Sequence, residues 1–237
     1  MERIDLVPGT DFKIIQDKSS FSYGTDAIFL SNFSKPKGIV VDLGTGSGII
    51  PLRIANNSRV EKIYGIEIQE EVSKRAKRSI ELNNLEKRIE ILNMDLKDLP
   101  KRFSKCEIDT VVSNPPYLKT GGAIVNEKEN FAISRHEIQC NLEDIIRISD
   151  YLLKPLGKLF LVHRPDRLTD IFYLLRTHKL EPKWIRFVYP KLGKAPNLVL
   201  IEAVKSGNKE LRFFKPLIVY NEDGTYTDEI YEIYDRK

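Results

Sequence analysis

Val40-Val41-Asp42-Leu43-Gly44-Thr45-Gly46-Ser47-Gly48 decides how this chain folds. An apolar run ends in an acid, and three glycines follow at alternate positions. Ile39–Asp42 reads as a buried strand, and the glycines let the backbone turn sharply into a helix from about Gly48 to Asn56. Outward from this unit the alternation continues. Lys62–Ile66 is a second strand, followed by an amphipathic helix through about Asn83. There Val72, Ala76, Ile80 and Asn83 share a face, while Lys74, Lys77, Arg78 and Glu81 face water. Arg88–Leu92 and Ile108–Val112 are the third and fourth strands, and Leu142–Leu153 is helical up to Pro155-Leu156-Gly157. Lys158–Val162 is the fifth strand, with a helix from about Pro165 to His178. Trp184–Tyr189 and Asn197–Val204 close the pattern as an antiparallel hairpin. Strands alternating with helices predict an α/β fold with right-handed crossovers, here a seven-stranded, mostly parallel sheet ending in that hairpin.

Two segments flank this core, which spans residues 39–205. Residues 1–38 carry Phe12–Ile15, a short strand, and Phe21-Ser22-Tyr23-Gly24-Thr25-Asp26 leading into a helix from Ala27 to Phe33. Residues 206–237 hold Leu217–Tyr220, a turn at Asn221-Glu222-Asp223-Gly224, and Tyr226–Tyr234. Their Tyr, Ile and Phe content predicts a tail packed on the core.

Composition excludes several classes. At 237 residues and 41% hydrophobic content the chain can bury a full core. Its formal charge of +4 is a mild excess, compatible with a nucleic-acid enzyme without requiring one. Cys106 and Cys140 have neither metal-ligand nor redox spacing, so no metal and a reducing cytoplasm are expected. The charged start Met1-Glu2-Arg3-Ile4-Asp5 lacks the apolar core of a signal peptide. No apolar run approaches the roughly 18–20 residues of a membrane span. A cytoplasmic monomer that meets no membrane is the expectation.

Three acids stand at successive strand ends. Asp42 precedes glycines that admit close approach of a ligand, and an acid there suits a cation rather than a pyrophosphate. Gly44 and Gly46 are therefore candidate contacts, and Asp42 is placed to receive an amino-acid ammonium. Glu67 closes Tyr64-Gly65-Ile66-Glu67, where a carboxylate can accept both ribose hydroxyls. Asp95, after the third strand, is placed to accept from an adenine amino group. Ammonium, ribose and adenine together describe S-adenosylmethionine.

Directly after Ile108–Val112 comes Asn114-Pro115-Pro116-Tyr117. A methyl sulfonium is already electrophilic, so the enzyme's task is to aim a lone pair at it. An exocyclic amine on an aromatic ring is a poor nucleophile because that pair is delocalised. Two acceptors binding its N–H bonds hold the nitrogen and favour its pyramidalisation. Asn114 offers a side-chain carbonyl, and Pro115 a backbone carbonyl in a segment stiffened by Pro116. Tyr117 offers a flat face on which a base can stack.

These residues resemble the Rossmann-like class I methyltransferases with an Asn-Pro-Pro-Tyr loop, which modify amino groups of adenine, guanine or glutamine. Phe21–Asp26, Ser134-Arg135-His136-Glu137 with Leu142-Glu143-Asp144, His163-Arg164-Pro165-Asp166-Arg167-Leu168 and Leu217-Ile218-Val219-Tyr220 sharpen the match. All of them resemble the tRNA1(Val) (adenine(37)-N6)-methyltransferase family, over nearly the whole chain. Ser134 departs from the small apolar residue, usually Ala, expected there. The resemblance implies N6-methylation of an adenosine beside the anticodon of a valine tRNA. It also implies that the 1–38 extension lies over the cofactor cleft, with Thr25 as a further contact. An anticodon-loop adenine is already outside a regular duplex, so swinging it into a pocket is cheap. Arg135, Arg164, Arg167, Lys191 and Lys194 fall at sheet-end loops or helix starts and could hold phosphates, and His136 is a weaker candidate.

Rival readings share the loop. Glutamine N5-methylation of a protein is expected with a sizeable helical domain before the glycines, where about forty residues stand here. Guanine-N2 methylation of ribosomal RNA is expected with a longer amino-terminal half and a Phe in the loop. A DNA adenine methyltransferase would need a recognition domain for which this length has no room. A non-catalytic RNA-binding module leaves the acids and Asn114 unexplained.

Overall fold

The computed structural model describes residues 2–17, 23–115 and 141–234. The elements run β1 (Glu2–Leu6), β2 (Lys13–Asp17), α1 (Thr25–Phe33), β3 (Gly38–Leu43), α2 (Ile49–Ile54), β4 (Val60–Glu67), α3 (Glu70–Leu82) and β5 (Ile89–Asn93). They continue with β6 (Ile108–Ser113), α4 (Leu142–Leu152), β7 (Leu153–His163), α5 (Leu168–Thr177), β8 (Leu180–Lys191), β9 (Leu198–Lys205), β10 (Arg212–Phe213), β11 (Leu217–Tyr220) and α6 (Asp228–Tyr234). Short 3-10 turns cover Leu96–Lys101 and Pro165–Arg167.

The seven expected strands form one sheet in the order β5-β4-β3-β6-β7-β9-β8. The first five are parallel, and β9 runs antiparallel to both β7 and β8. The tail adds two strands, because β10 and β11 both pair parallel with the outer edge of β8. Their shortness hides them in sequence, since two to four residues carry little periodicity.

Alternation along the strands builds two cores. Val40, Val112, Phe160 and Val162 face α1, α2 and α3, while Val41, Val111, Leu159 and Leu161 face α4 and α5. Both sets are fully buried, as a parallel sheet covered on two faces requires. On α3 the buried residues are Ser73, Ala76, Ser79 and Ile80. Asn83, expected on the inward face, instead clasps β2: it accepts from the Lys13 N–H at 2.8 Å and donates to the Lys13 carbonyl at 2.7 Å. Ser79 Oγ accepts the Ile15 N–H at 3.0 Å, so polar bonds fix the β1–β2 hairpin on α3 while Ile14 joins the core that holds Ala76 and Ile80. β1 escapes sequence reading because Ile4 and Leu6 both stay exposed, which removes the burial signal. Arg53 of α2 ties three distant segments together, through the Pro8 carbonyl, Ser31 Oγ at 2.6 Å and the Ile233 carbonyl at 3.2 Å.

Candidate functional site

Register brings the carboxyl ends of β3, β4 and β6 level. Leu43 pairs with Ile66 on one side and with Ser113 on the other. The loops leaving these strands therefore open at one edge of the sheet, the usual place for a ligand in such folds.

Backbone donors fasten the glycine turn to β4. The N–H groups of Gly44 and Thr45 both donate to the Ile66 carbonyl, at 3.0 and 2.9 Å. Gly44 and Gly46 have φ of +74° and +55°, which a side chain would strain, and among the described residues nothing lies within 4 Å of where a Cβ would stand. The described residues thus leave open space over the turn. Gly65 has the opposite role: a Cβ there would meet Ile91 Cδ1 at 2.7 Å and Thr45 Oγ1 at 2.9 Å. Its lack of a side chain lets Thr45 seat itself and donate to Asp42 Oδ2 at 2.7 Å.

Asp42 is fully buried, and its Oδ1 has no hydrogen-bond partner among the described residues. Burial pushes the carboxyl up to about 7; the Thr45 hydrogen bond opposes this and the nearby Glu67 charge adds to it. A buried carboxyl with an unsatisfied oxygen beside such a turn has the chemistry to accept a donor, a cation included. Glu67, also buried, accepts the Gly46 N–H through Oε2 at 3.0 Å and the Gln69 N–H through Oε1 at 2.9 Å. Each oxygen keeps a second lone pair for a ligand hydroxyl. These features fit the ammonium and ribose of the expected cofactor.

Asp95 is half-buried and caps the 3-10 turn, its Oδ1 accepting the Lys97 N–H at 2.9 Å. Asn93, which sequence reasoning passed over, donates from Nδ2 to the carbonyls of Glu67 and Ile68 at 2.9 and 3.1 Å, fixing the end of β4. Ser113 was also missed. It is buried, and its Oγ donates to the Leu43 carbonyl at 2.9 Å, locking the start of the Asn114 loop to the glycine turn. Its only sequence signal is a polar residue closing an apolar strand. Asn114 is half-buried and Pro115 buried at this junction. Pro116, Tyr117, Arg135 and His136 lie outside the described residues.

Thr25 is exposed at the start of α1, and its Oγ1 donates locally to Asp26 Oδ1 at 3.3 Å. Arg164 follows β7 with Nε 3.6 Å from Asp166 Oδ1, and Arg167 Nε lies 2.8 Å from Asp170 Oδ2. Lys194 is exposed at the β8–β9 turn, whereas Lys191 Nζ donates to the Glu222 carbonyl at 3.3 Å. His163, read only as part of a longer motif, is buried at the end of β7. Burial, followed by the Arg167 charge, pulls its pKa down to about 4. Its Nδ1 accepts the Arg164 N–H at 2.8 Å, so the neutral ring carries its proton on Nε2. Among the described residues no cluster of three or more His, Cys, Asp or Glu could hold a metal, and no helix is long and apolar enough to cross a membrane.

Comparison with known proteins bears on the family and the fold. A tRNA1(Val) (adenine(37)-N6)-methyltransferase from Tolumonas auensis is 29% identical over 80% of this chain and 79% of its own length. One from Porphyromonas gingivalis is 28% identical over 95% and 91%. Among solved structures, a protein from Agrobacterium tumefaciens described as a predicted O-methyltransferase superposes with a TM-score of 0.71 at 22% identity, covering 89% of this chain and 96% of that one. The Pyrococcus horikoshii protein TYW2, in complex with MeSAdo, superposes with a TM-score of 0.61 at 16% identity, covering 87% and 72%. At these identities the structural likeness establishes the fold. The methyltransferase small domain model matches residues 12–170, two thirds of the sequence, and the chain belongs to that family of enzymes.

Proposed function

We propose that this protein is an S-adenosylmethionine-dependent tRNA methyltransferase that forms N6-methyladenosine at position 37 of a valine tRNA. The observation that carries the reading is the Leu43–Ser113 pairing. It sets the Asn114-Pro115 junction beside the glycine turn, so that a cofactor and an acceptor amine would meet at one sheet edge. The relatives named above, which match most of the chain, support the choice of substrate.

When bound, S-adenosylmethionine supplies an electrophilic methyl group. The chain's own residues then have positioning work. Asp42 takes the ammonium on its unpartnered oxygen, Gly44 and Gly46 leave room for the ligand, and Glu67 and Asp95 accept from ribose and adenine. Asn114 and the Pro115 carbonyl accept the two N–H bonds of the target amine, and Tyr117 stacks on its base. This arrangement aims the lone pair and needs no dedicated base before attack, because the nitrogen becomes acidic once alkylated. Thr25, at the start of α1, stands at the margin of the cofactor cleft. Arg135, Arg164, Arg167 and Lys194 meet tRNA phosphates, and the protein works as a cytoplasmic monomer. Incubation with labelled S-adenosylmethionine and total RNA from cells lacking the protein tests the reading. Label in N6-methyladenosine is expected; label in guanine, or in protein glutamine with RNA unlabelled, would overturn it.

A further inference from the structure

The β8–β9 hairpin leaves the sheet at the same edge as the site. β8 runs parallel to β7, since both are antiparallel to β9. His163, the last residue of β7, pairs with Val199, and Val199 pairs with Phe187. From Phe187 the chain continues through Lys191 before it turns. At about 3.3 Å per residue the tip stands roughly 13 Å beyond the level at which β7 ends. It is a built projection. Asn197 donates to the Val188 carbonyl at 3.0 Å, and Lys194 to that of Lys191 at 3.2 Å. Tyr189 and Lys191 pair with Ile218 and Tyr220 of β11.

At its apex stands Leu192, 78% exposed, followed by Gly193 with φ of +77°, near whose Cβ position no described residue lies within 4 Å. A single exposed leucine is commonplace on protein surfaces. This one sits between Lys191 and Lys194, on a braced finger, at the edge from which a nucleic acid must enter. Lys191 is drawn toward the tail, through the Glu222 carbonyl and the charge of Asp223. Lys194 is the exposed cation left at the apex.

We infer that the tip, residues 191–197, is an RNA-contacting finger in which Leu192 packs against a base next to the target nucleotide and Lys194 holds an adjacent phosphate. The inference rests on the tRNA reading above. Salt separates its two halves, because an apolar base contact is insensitive to ionic strength and a phosphate contact is not. The test measures binding of the full-length protein to an unmodified valine tRNA transcript between 50 and 200 mM salt, with methylation of the same transcript in parallel. Leu192→Ser should weaken binding about five-fold or more at every salt concentration, near the lower end of what a base-stacking contact yields. Leu192→Phe should restore it, and both variants should keep the KM for S-adenosylmethionine. Lys194→Ala should flatten the salt slope by about 0.7–0.9. A wild type that methylates the transcript while Leu192→Ser binds it equally well overturns the inference alone. A wild type that neither binds nor methylates it overturns the tRNA reading as well.

Discussion

Glu67 Oε2 accepts the backbone N–H of Gly46 at 3.0 Å, joining the end of β4 to the turn that follows β3. Its other oxygen holds the Gln69 N–H. One buried carboxylate thus shapes the turn, and in the proposed site it also receives the ribose. Glu67→Ala should raise the S-adenosylmethionine KM at least ten-fold with a smaller effect at saturation. It should also lower the melting temperature by several degrees, because the part-buried N–H groups of Gly46 and Gln69 each lose a hydrogen bond to a charged partner, worth about 1.5–3 kcal/mol. Steady-state kinetics and a thermal melt check both, and an unchanged KM would remove Glu67 from the ribose site.

Asp42 makes the free protein sensitive to pH. Burial holds its folded pKa near 7, above the ordinary 3.8. The folded state therefore binds a proton that the unfolded chain has released. The stability this provides is complete below about pH 4 and is lost as pH rises toward about 7. A bound ammonium favours the anion, so cofactor affinity should climb with pH up to about 7. Below that pH, binding should release about one proton. Calorimetry at pH 6 in buffers of different ionisation enthalpy measures the release, and Asp42→Asn should abolish it. Binding without proton release in the wild type would contradict this role.

Gly65 gives a separate handle on the same carboxyl. In Gly65→Ala the new methyl meets Ile91 and Thr45, and displacing Thr45 removes the hydrogen bond that orients Asp42. The variant should lose roughly 1–3 kcal/mol of stability by overpacking and bind the cofactor more weakly, although Gly65 itself is buried against Ile91 and Thr45. Denaturant melts and cofactor titration decide this; a variant with wild-type affinity would mean that Thr45 does not govern Asp42.

Much of this arrangement was legible in the sequence because strand periodicity places an acid at or just after the end of each of the first three apolar runs. Asp42 and Glu67 could be assigned to one edge without any contact information. What stayed hidden depends on pairings between distant segments. The bond from Ser113 to Leu43 and the grip of Asn93 on the end of β4 follow from register, which no local pattern encodes, whereas the Thr45–Asp42 bond spans three residues but needs the room that Gly65 leaves on the neighbouring strand. β1 was missed for another reason, since its apolar side chains face water. The roles of the phosphate candidates were the least legible, because an exposed Arg or Lys looks the same in sequence whether or not it meets a ligand.

Asn114→Ala should keep cofactor binding and lower turnover by a few powers of ten, since it removes an acceptor that aims the attacking nitrogen. Titrating S-adenosylmethionine against the variant separates the two effects. Loss of binding together with catalysis would make Asn114 a structural residue.

The central claim is that the Leu43–Ser113 junction serves methyl transfer to an anticodon-loop adenine. The most direct measurement is fragment mass analysis of a valine tRNA transcript treated with the protein and S-adenosylmethionine. The account predicts one added methyl group, as N6-methyladenosine, in the anticodon-loop fragment at position 37. A methyl group elsewhere in the tRNA, on guanine, or absent from a tRNA that the active enzyme demonstrably binds would contradict it.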